Sequence, residues 1–230
     1  MTNVNDLATL ENYYNAISQS YDDNTTPNRW PVNDNIIDAL KTIPHNSASL
    51  LDLGTGTGLT IETVMRVSHP RTIVAVDLAN KMLGILKKKQ ADTPIDFVQS
   101  SVEDFIENDS REFDLVTAIG VLDFPENLPQ LMTKLGRHIT KDGLALFNYV
   151  LPQQEGQTEI TYPSKAVPGT LLPAHCWQPA QINAALAQWG EVLIDKDIPG
   201  HIPKPGGARM RFRFVVVRKT SLQATTWNKI

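Results

Sequence analysis

From Ser49 to Ile61 the chain reads Ser-Leu-Leu-Asp-Leu-Gly-Thr-Gly-Thr-Gly-Leu-Thr-Ile, an apolar strand that runs into three alternate glycines and then into a helical pattern. A strand, a glycine turn and a helix make the first half of a crossover, and crossovers build parallel sheets. Gly54, Gly56 and Gly58 remove side chains where a ligand must touch backbone. The helix that follows presents unpaired N–H groups and a positive dipole end, so a nucleotide-like ligand suits the loop. A dinucleotide does not. The fingerprint Gly-x-Gly-x-x-Gly needs a glycine at residue 59 or 61, and those positions hold Leu59 and Ile61. A smaller, net cationic ligand across the strand ends fits the tighter loop, and a purely structural turn is the alternative.

The rest of the chain alternates strand and helix patterns. Strands are expected near residues 48 to 53, 71 to 77, 94 to 99, 113 to 119 and 143 to 150, and helices near 31 to 43, 58 to 68, 79 to 90, 127 to 139 and 179 to 189. Two further strands, near Glu191 to Ile198 and Met210 to Val217, flank the proline and glycine run from Pro199 to Gly207. Such a run signals a hairpin, which makes the final strand antiparallel. Arg71 to Asp77 is a β-branched run that ends in a carboxylate beside the glycine loop. In doubly wound sheets an acid so placed accepts both ribose hydroxyls of a nucleoside, whereas an ordinary helix cap is the other use of Asp77.

With these blocks in order the chain resembles the class I S-adenosylmethionine-dependent methyltransferases of the small-molecule type. Leu51 to Gly58 resembles the family's first motif, and Val76-Asp77-Leu78 with Met82-Leu83 the second. Phe97 to Asp104 resembles the adenine loop, and Phe113 to Leu122 the fourth strand with the turn beneath the methionine part of the cofactor. The resemblance implies an α/β, Rossmann-like, doubly wound and mostly parallel seven-stranded sheet with an antiparallel last strand. It implies S-adenosyl-L-methionine as cofactor and S-adenosyl-L-homocysteine as product. Carried over position by position, the cofactor contacts expected are Asp52, Gly54, Thr55, Gly56, Gly58, Asp77, Leu78, Met82, Ser101, Val102, Glu103, Ile119 and Gly120. Ser101 stands where relatives usually offer Asp to the adenine amino group, and Asp123 stands where many carry a histidine.

Residues 1 to 30 are expected to form a helical lid, because a helix over residues 8 to 21 carries Tyr13, Tyr14 and Tyr21 and needs a cover. In related enzymes an aromatic followed by Tyr-Asp seven residues on folds over the cofactor, and Tyr14 with Tyr21-Asp22 matches that spacing. Packing against the sheet edge is the alternative. Arg29 would then bind the cofactor's carboxylate bidentately. Residues 31 to 220 form the catalytic domain, and 221 to 230 a tail. Within the domain, residues 151 to 178 show no helical period and read as a lid insertion after strand five that covers the substrate.

His175 lies in that insertion, and histidine is the side-chain type best suited to act as a general base near neutrality, although a structural hydrogen bond is the commoner use of a loop histidine. Asp123, Phe124, Tyr149, Tyr162 and Trp177 are the candidate contacts of an apolar or aromatic acceptor. Arg209, Arg211 and Arg213 alternate with Met210, Phe212 and Phe214, so their guanidinium groups share one face, suited to a phosphate or simply to water. Lys87 to Lys89 reads as a solvated helix end.

Composition narrows the classes. Net charge of −4 gives no basic footprint for nucleic acid. One cysteine, Cys176, excludes internal disulfides and suits a reducing cytoplasm. No apolar run reaches the ~18 residues of a membrane helix, no His or Cys cluster has metal-ligand spacing, and no signal peptide is visible. The expectation is a cytoplasmic methyltransferase, monomeric or homodimeric, acting on an O, N or C nucleophile of a small metabolite. A nucleic-acid or protein methyltransferase, or a non-methylating binder of the same cofactor, stands as the alternative.

Overall fold

The computed structural model describes residues 2–3, 6–25, 32–163, 170–200 and 210–220. Its centre is a seven-stranded sheet. In chain order the strands are β2 (Ser49–Leu53), β3 (Thr72–Asp77), β4 (Ile95–Gln99), β5 (Phe113–Ala118), β6 (Ile139–Val150), β9 (Gly190–Pro199) and β10 (Arg211–Lys219). They lie side by side as β4-β3-β2-β5-β6-β10-β9. The pairs from β4 through β6 are parallel, whereas β10 runs antiparallel to both β6 and β9. The final hairpin is therefore inserted into the sheet, with β10 between its partner and the parallel body.

Period-two burial explains why helices coat both faces. Leu51 and Leu53 of β2 join Val74 and Val76 of β3 in one core, while Leu50, Ile73 and Ala75 point into the other. The first core is covered by α6 (Val102–Asn108), α7 (Leu128–Leu135) and α8 (Pro179–Leu186), the second by α3 (Val32–Thr42) and α4 (Leu59–Met65), with Leu86 of α5 (Asn80–Lys89). Each buried leucine contributes ~1.5–3 kcal/mol relative to exposure, which makes β2 the anchor of the glycine loop. Among the described residues no helix is long and apolar enough to cross a membrane.

Three expectations need correction. The N-terminal helix is not continuous: α1 (Leu7–Ile17) passes through a 3-10 turn at Ser18–Ser20 into α2 (Tyr21–Thr25). The hydroxyls of Ser18 and Ser20 donate to the carbonyls of Asn15 and Ile17, three residues back, which tightens that turn. The insertion is not structureless either, since β7 (Glu159–Pro163) and β8 (Thr170–His175) form an antiparallel hairpin, with β1 (Thr2–Asn3) parallel to β8. Its prolines masked an extended pattern in which Leu172 packs with Leu10 of α1 while Ala174 enters the second core. Third, the stretch after the adenine loop, where no helix was expected, forms α6, which Ser101 caps with its Oγ accepting the N–H of Asp104 at 3.0 Å.

Two charged runs also acquire partners. Arg211 and Arg213 bind Asp197 across the hairpin, and Arg213 also binds Asp195, so those guanidinium groups are neutralised within the sheet. Arg209 lies outside the described residues. Lys89 is no free helix end: its Nζ sits 2.5 Å from Asp22 and 3.5 Å from Glu62.

Candidate functional site

At the carboxyl edge of the parallel strands, β2, β3 and β5 all end in turns that face one cleft. Gly54, Gly56 and Gly58 have φ of +66°, +55° and +91°, which an L side chain adopts only with strain. Their surroundings differ. A Cβ on Gly54 would lie 2.4 Å from Val121 and one on Gly58 2.3 Å from Leu86, so both are demanded by packing inside the protein. A Cβ on Gly56 would meet nothing within 4 Å. Gly56 alone of the three presents bare backbone to open space, as a ligand cradle does.

Beneath the loop sits Asp52, 1% exposed, whose carboxylate accepts the hydroxyls of Thr55 and Thr117, each at 2.6 Å. Burial pushes this carboxyl up to about 6 against the effect of those two bonds. It ties the loop to β5 from below, so Asp52 and Thr55 position the loop rather than line the cleft. Asp77 closes the loop from the side. Its Oδ2 accepts the N–H of Gly56 and its Oδ1 that of Ala79, both at 2.8 Å. Each oxygen keeps a second lone pair for a ligand, and burial raises the group's pKa while the two N–H donors oppose the rise.

The cleft holds about 90 Å³ and is lined by the expected residues Tyr14, Tyr21, Gly54, Gly56, Asp77, Leu78, Met82, Ser101, Val102, Glu103, Ile119 and Gly120, with Phe124 at its rim. That volume is below the roughly 300–1,000 Å³ of a ligand pocket, because α1 and α2 lie down on it. Tyr14 meets Phe124 edge-on at 6.1 Å and Tyr21 at 6.4 Å. The Tyr21 phenol is pushed up to about 12, first by burial and then by Asp77 and Asp22. Asp22 fastens this cover: Thr57 Oγ1 donates to it at 2.5 Å, and Lys89 Nζ bridges it to the Thr57 carbonyl at 3.2 Å. Asn15 Oδ1 accepts the N–H of Lys81 in the first turn of α5 at 2.9 Å.

A second cavity of about 540 Å³ adjoins the first and shares Leu7, Leu10, Ser101, Glu103 and Phe124 with it. Asp123 and His175 both line it. The hairpin holds them together, since the His175 N–H donates to the Asp123 carbonyl at 2.8 Å. Asp123 is 5% exposed, its Oδ1 has no hydrogen-bond partner among the described residues, and burial pushes its carboxyl up to about 7.

Other expected contacts fall elsewhere. Tyr149 is wholly buried in the first core between β6 and the helices, and Trp177 packs against the same core, so neither lines these two cavities. The placement has a simple cause: β6 is buried without a break from Gly143 to Val150, so Tyr149 on that stretch packs into the core. Gly58 lies under α5 instead of in the cleft wall. Arg29 and the side chain of Tyr162 lie outside the described residues. Several residues had no sequence signal. Asn148 Oδ1 accepts the Gly120 N–H at 2.8 Å and fixes the turn after β5, and Leu7, Leu10, Glu126 and Glu159 reach the cavities only through the packing of α1 and the hairpin.

Residues 51–147 match the family described as a methyltransferase domain. Among curated proteins the chain is similar to malonyl-[acyl-carrier protein] O-methyltransferase of Bacillus cereus, 26% identical over 141 residues, which are 60% of this chain and 51% of the relative. The chain thus spans about half the length of that relative. Among solved structures it superposes on an S-adenosylmethionine-dependent methyltransferase of Clostridium acetobutylicum with a TM-score of 0.64, at 17% identity, over 90% of this chain and 99% of the other. Magnesium protoporphyrin IX methyltransferase of Synechocystis, with S-adenosylmethionine bound, gives a TM-score of 0.63 at 12% identity, over 93% of this chain and 97% of the other.

Proposed function

Because the chain carries a class I S-adenosylmethionine-dependent methyltransferase domain, we propose that it transfers a methyl group from that cofactor to a small-molecule acceptor. The observation that carries this reading is Gly56, a bare positive-φ glycine facing open space directly beside the Asp77 carboxyl. Gly54 and Gly56 would hold the cofactor through backbone, Asp77 its ribose, Leu78, Met82 and Val102 its base, and Ile119 and Gly120 the methionine end. Ser101 keeps its hydroxyl proton for the adenine while its oxygen caps α6. Arg29 is the proposed partner of the cofactor's carboxylate.

When bound, the cofactor supplies a methyl activated by its sulfonium charge, so this chain's residues need chiefly to orient the acceptor. Orientation alone is worth ~7–11 kcal/mol in well-placed pairs. Residues 1–30 act as the lid, fastened by Asp22, and residues 151–178 cover the acceptor in the larger cavity. His175, which lines that cavity, would take a proton from the acceptor. The protein works in the cytoplasm as a monomer or homodimer. A turnover screen against metabolite extracts, with mass identification of the product that has gained a methyl, tests the reading. Release of S-adenosylhomocysteine with a methylated metabolite is expected, and methylation of bulk tRNA but of no metabolite would overturn it.

A further inference from the structure

The larger cavity has a charge that an acyl or other anionic acceptor would oppose. Among the described residues its wall carries the carboxyl groups of Asp6, Glu103, Asp104, Asp123, Glu126 and Glu159 against Lys134 and His175. Lys134 is already engaged, with its Nζ 2.5 Å from Glu107 outside the cavity. No arginine among the described residues lines the space. The apolar part of the wall is Leu7, Leu10, Phe124, Leu131 and Pro173.

A ring of carboxylates alone would be an ordinary solvated rim. Asp123 makes the difference, because it is 95% buried, lines the cavity and finds no donor for Oδ1 among the described residues. A buried carboxylate without a partner is costly, and once it has lost its proton what removes the cost is a donor carrying positive charge. Among the described residues no three acidic, histidine or cysteine groups converge as a metal set. An organic cation is left as the matching occupant.

We propose that the larger cavity binds an amine-bearing acceptor, with the protonated nitrogen on Asp123 and the apolar body against Phe124, Leu10 and Leu131. The inference rests on the methyl-transfer reading for the word acceptor, and not for the binding itself. Glu103, Glu126 and Glu159 supply the long-range field that draws the cation in. His175, held to the Asp123 carbonyl, stands at the same wall.

Calorimetric titration at pH 8 and low salt with 2-phenylethylamine, its neutral isostere 2-phenylethanol and the anion 3-phenylpropanoate tests this. Expected is at least tenfold tighter binding of the amine than of the alcohol, with the anion weakest, and the order persisting when S-adenosylhomocysteine is present. Asp123→Asn should cut the amine's preference at least fivefold and leave the alcohol unchanged. If that variant fails to fold by circular dichroism, the exposed double variant Glu126→Gln with Glu159→Gln carries the test, with amine affinity reduced about two- to threefold. Equal affinity for amine and alcohol, no effect in any folded variant, or displacement of the amine by S-adenosylhomocysteine overturns the proposal. S-adenosylmethionine is titrated into the same sample: binding of it without amine preference sinks this inference alone. Amine preference without cofactor binding sinks the methyl-transfer reading instead.

Discussion

Asp123→Asn makes a prediction about stability that depends on pH in a definite direction. Burial raises the carboxyl from 3.8 to about 7, so between those values the folded protein keeps a proton that the unfolded chain has shed. Fewer protons are then bound unfolded than folded, and stability must fall as pH rises through the window. The rise of about three pKa units corresponds to ~4 kcal/mol at 1.36 kcal/mol per unit, of which ~3 kcal/mol falls between pH 5 and 8.5. Asparagine has the same shape and no titration, so subtracting its curve isolates this one group, while the shared contributions of Asp52 and Asp77 cancel. Urea melts of both proteins at half-unit steps provide the assay. At pH 5 the variant should be equal to the native chain or weaker by ~1 kcal/mol, because its amide donors are left buried without acceptors. At pH 8.5 it should be the more stable by ~2 kcal/mol. A difference that is flat with pH, or that runs the other way, refutes the claim that this carboxyl is buried and unpartnered.

Gly56→Ala should lower stability by only ~1–2 kcal/mol, the cost of a left-handed alanine, yet abolish measurable S-adenosylmethionine binding in calorimetry. Gly58→Ala, whose new methyl would collide with Leu86, should be the less stable of the two in a thermal melt. Asp22→Ala should leave the melting temperature nearly unchanged, since its pair with Lys89 is about 30% exposed. Hydrogen exchange over residues 7–25 should nevertheless accelerate severalfold, and unchanged protection there would mean that Asp22 does not fasten the cover.

Legibility in the sequence followed the range of the interactions. The parallel body of the sheet could be read because each crossover is local, with an apolar run, a turn and a periodic helix in succession. The antiparallel β10 was equally local, announced by the run from Pro199 to Gly207. The cofactor side shared that advantage: Gly54, Gly56 and Asp77 lie at strand ends, and the structure brings the Gly56 N–H onto the Asp77 carboxylate. Residues whose place depends on tertiary packing were not readable. Tyr149 looks like an acceptor contact by type, but it sits on a strand buried on both faces. The hairpin of the insertion was hidden because Pro163 and Pro173 break the strand pattern that Leu172 and Ala174 support. Asn148 and Glu159 carry no motif, and their roles exist only once β6 lies beside β5 and the hairpin folds over the cavity.

Direct titration of the purified protein with S-adenosylmethionine tests the central claim. Saturable binding of one molecule per chain, competed by S-adenosylhomocysteine, is expected, with Asp77→Ala weakening it at least ~tenfold, the equivalent of ~1.4 kcal/mol and the scale of a lost charged hydrogen bond. Absence of binding to the folded protein, or an affinity indifferent to Asp77→Ala, would contradict the account.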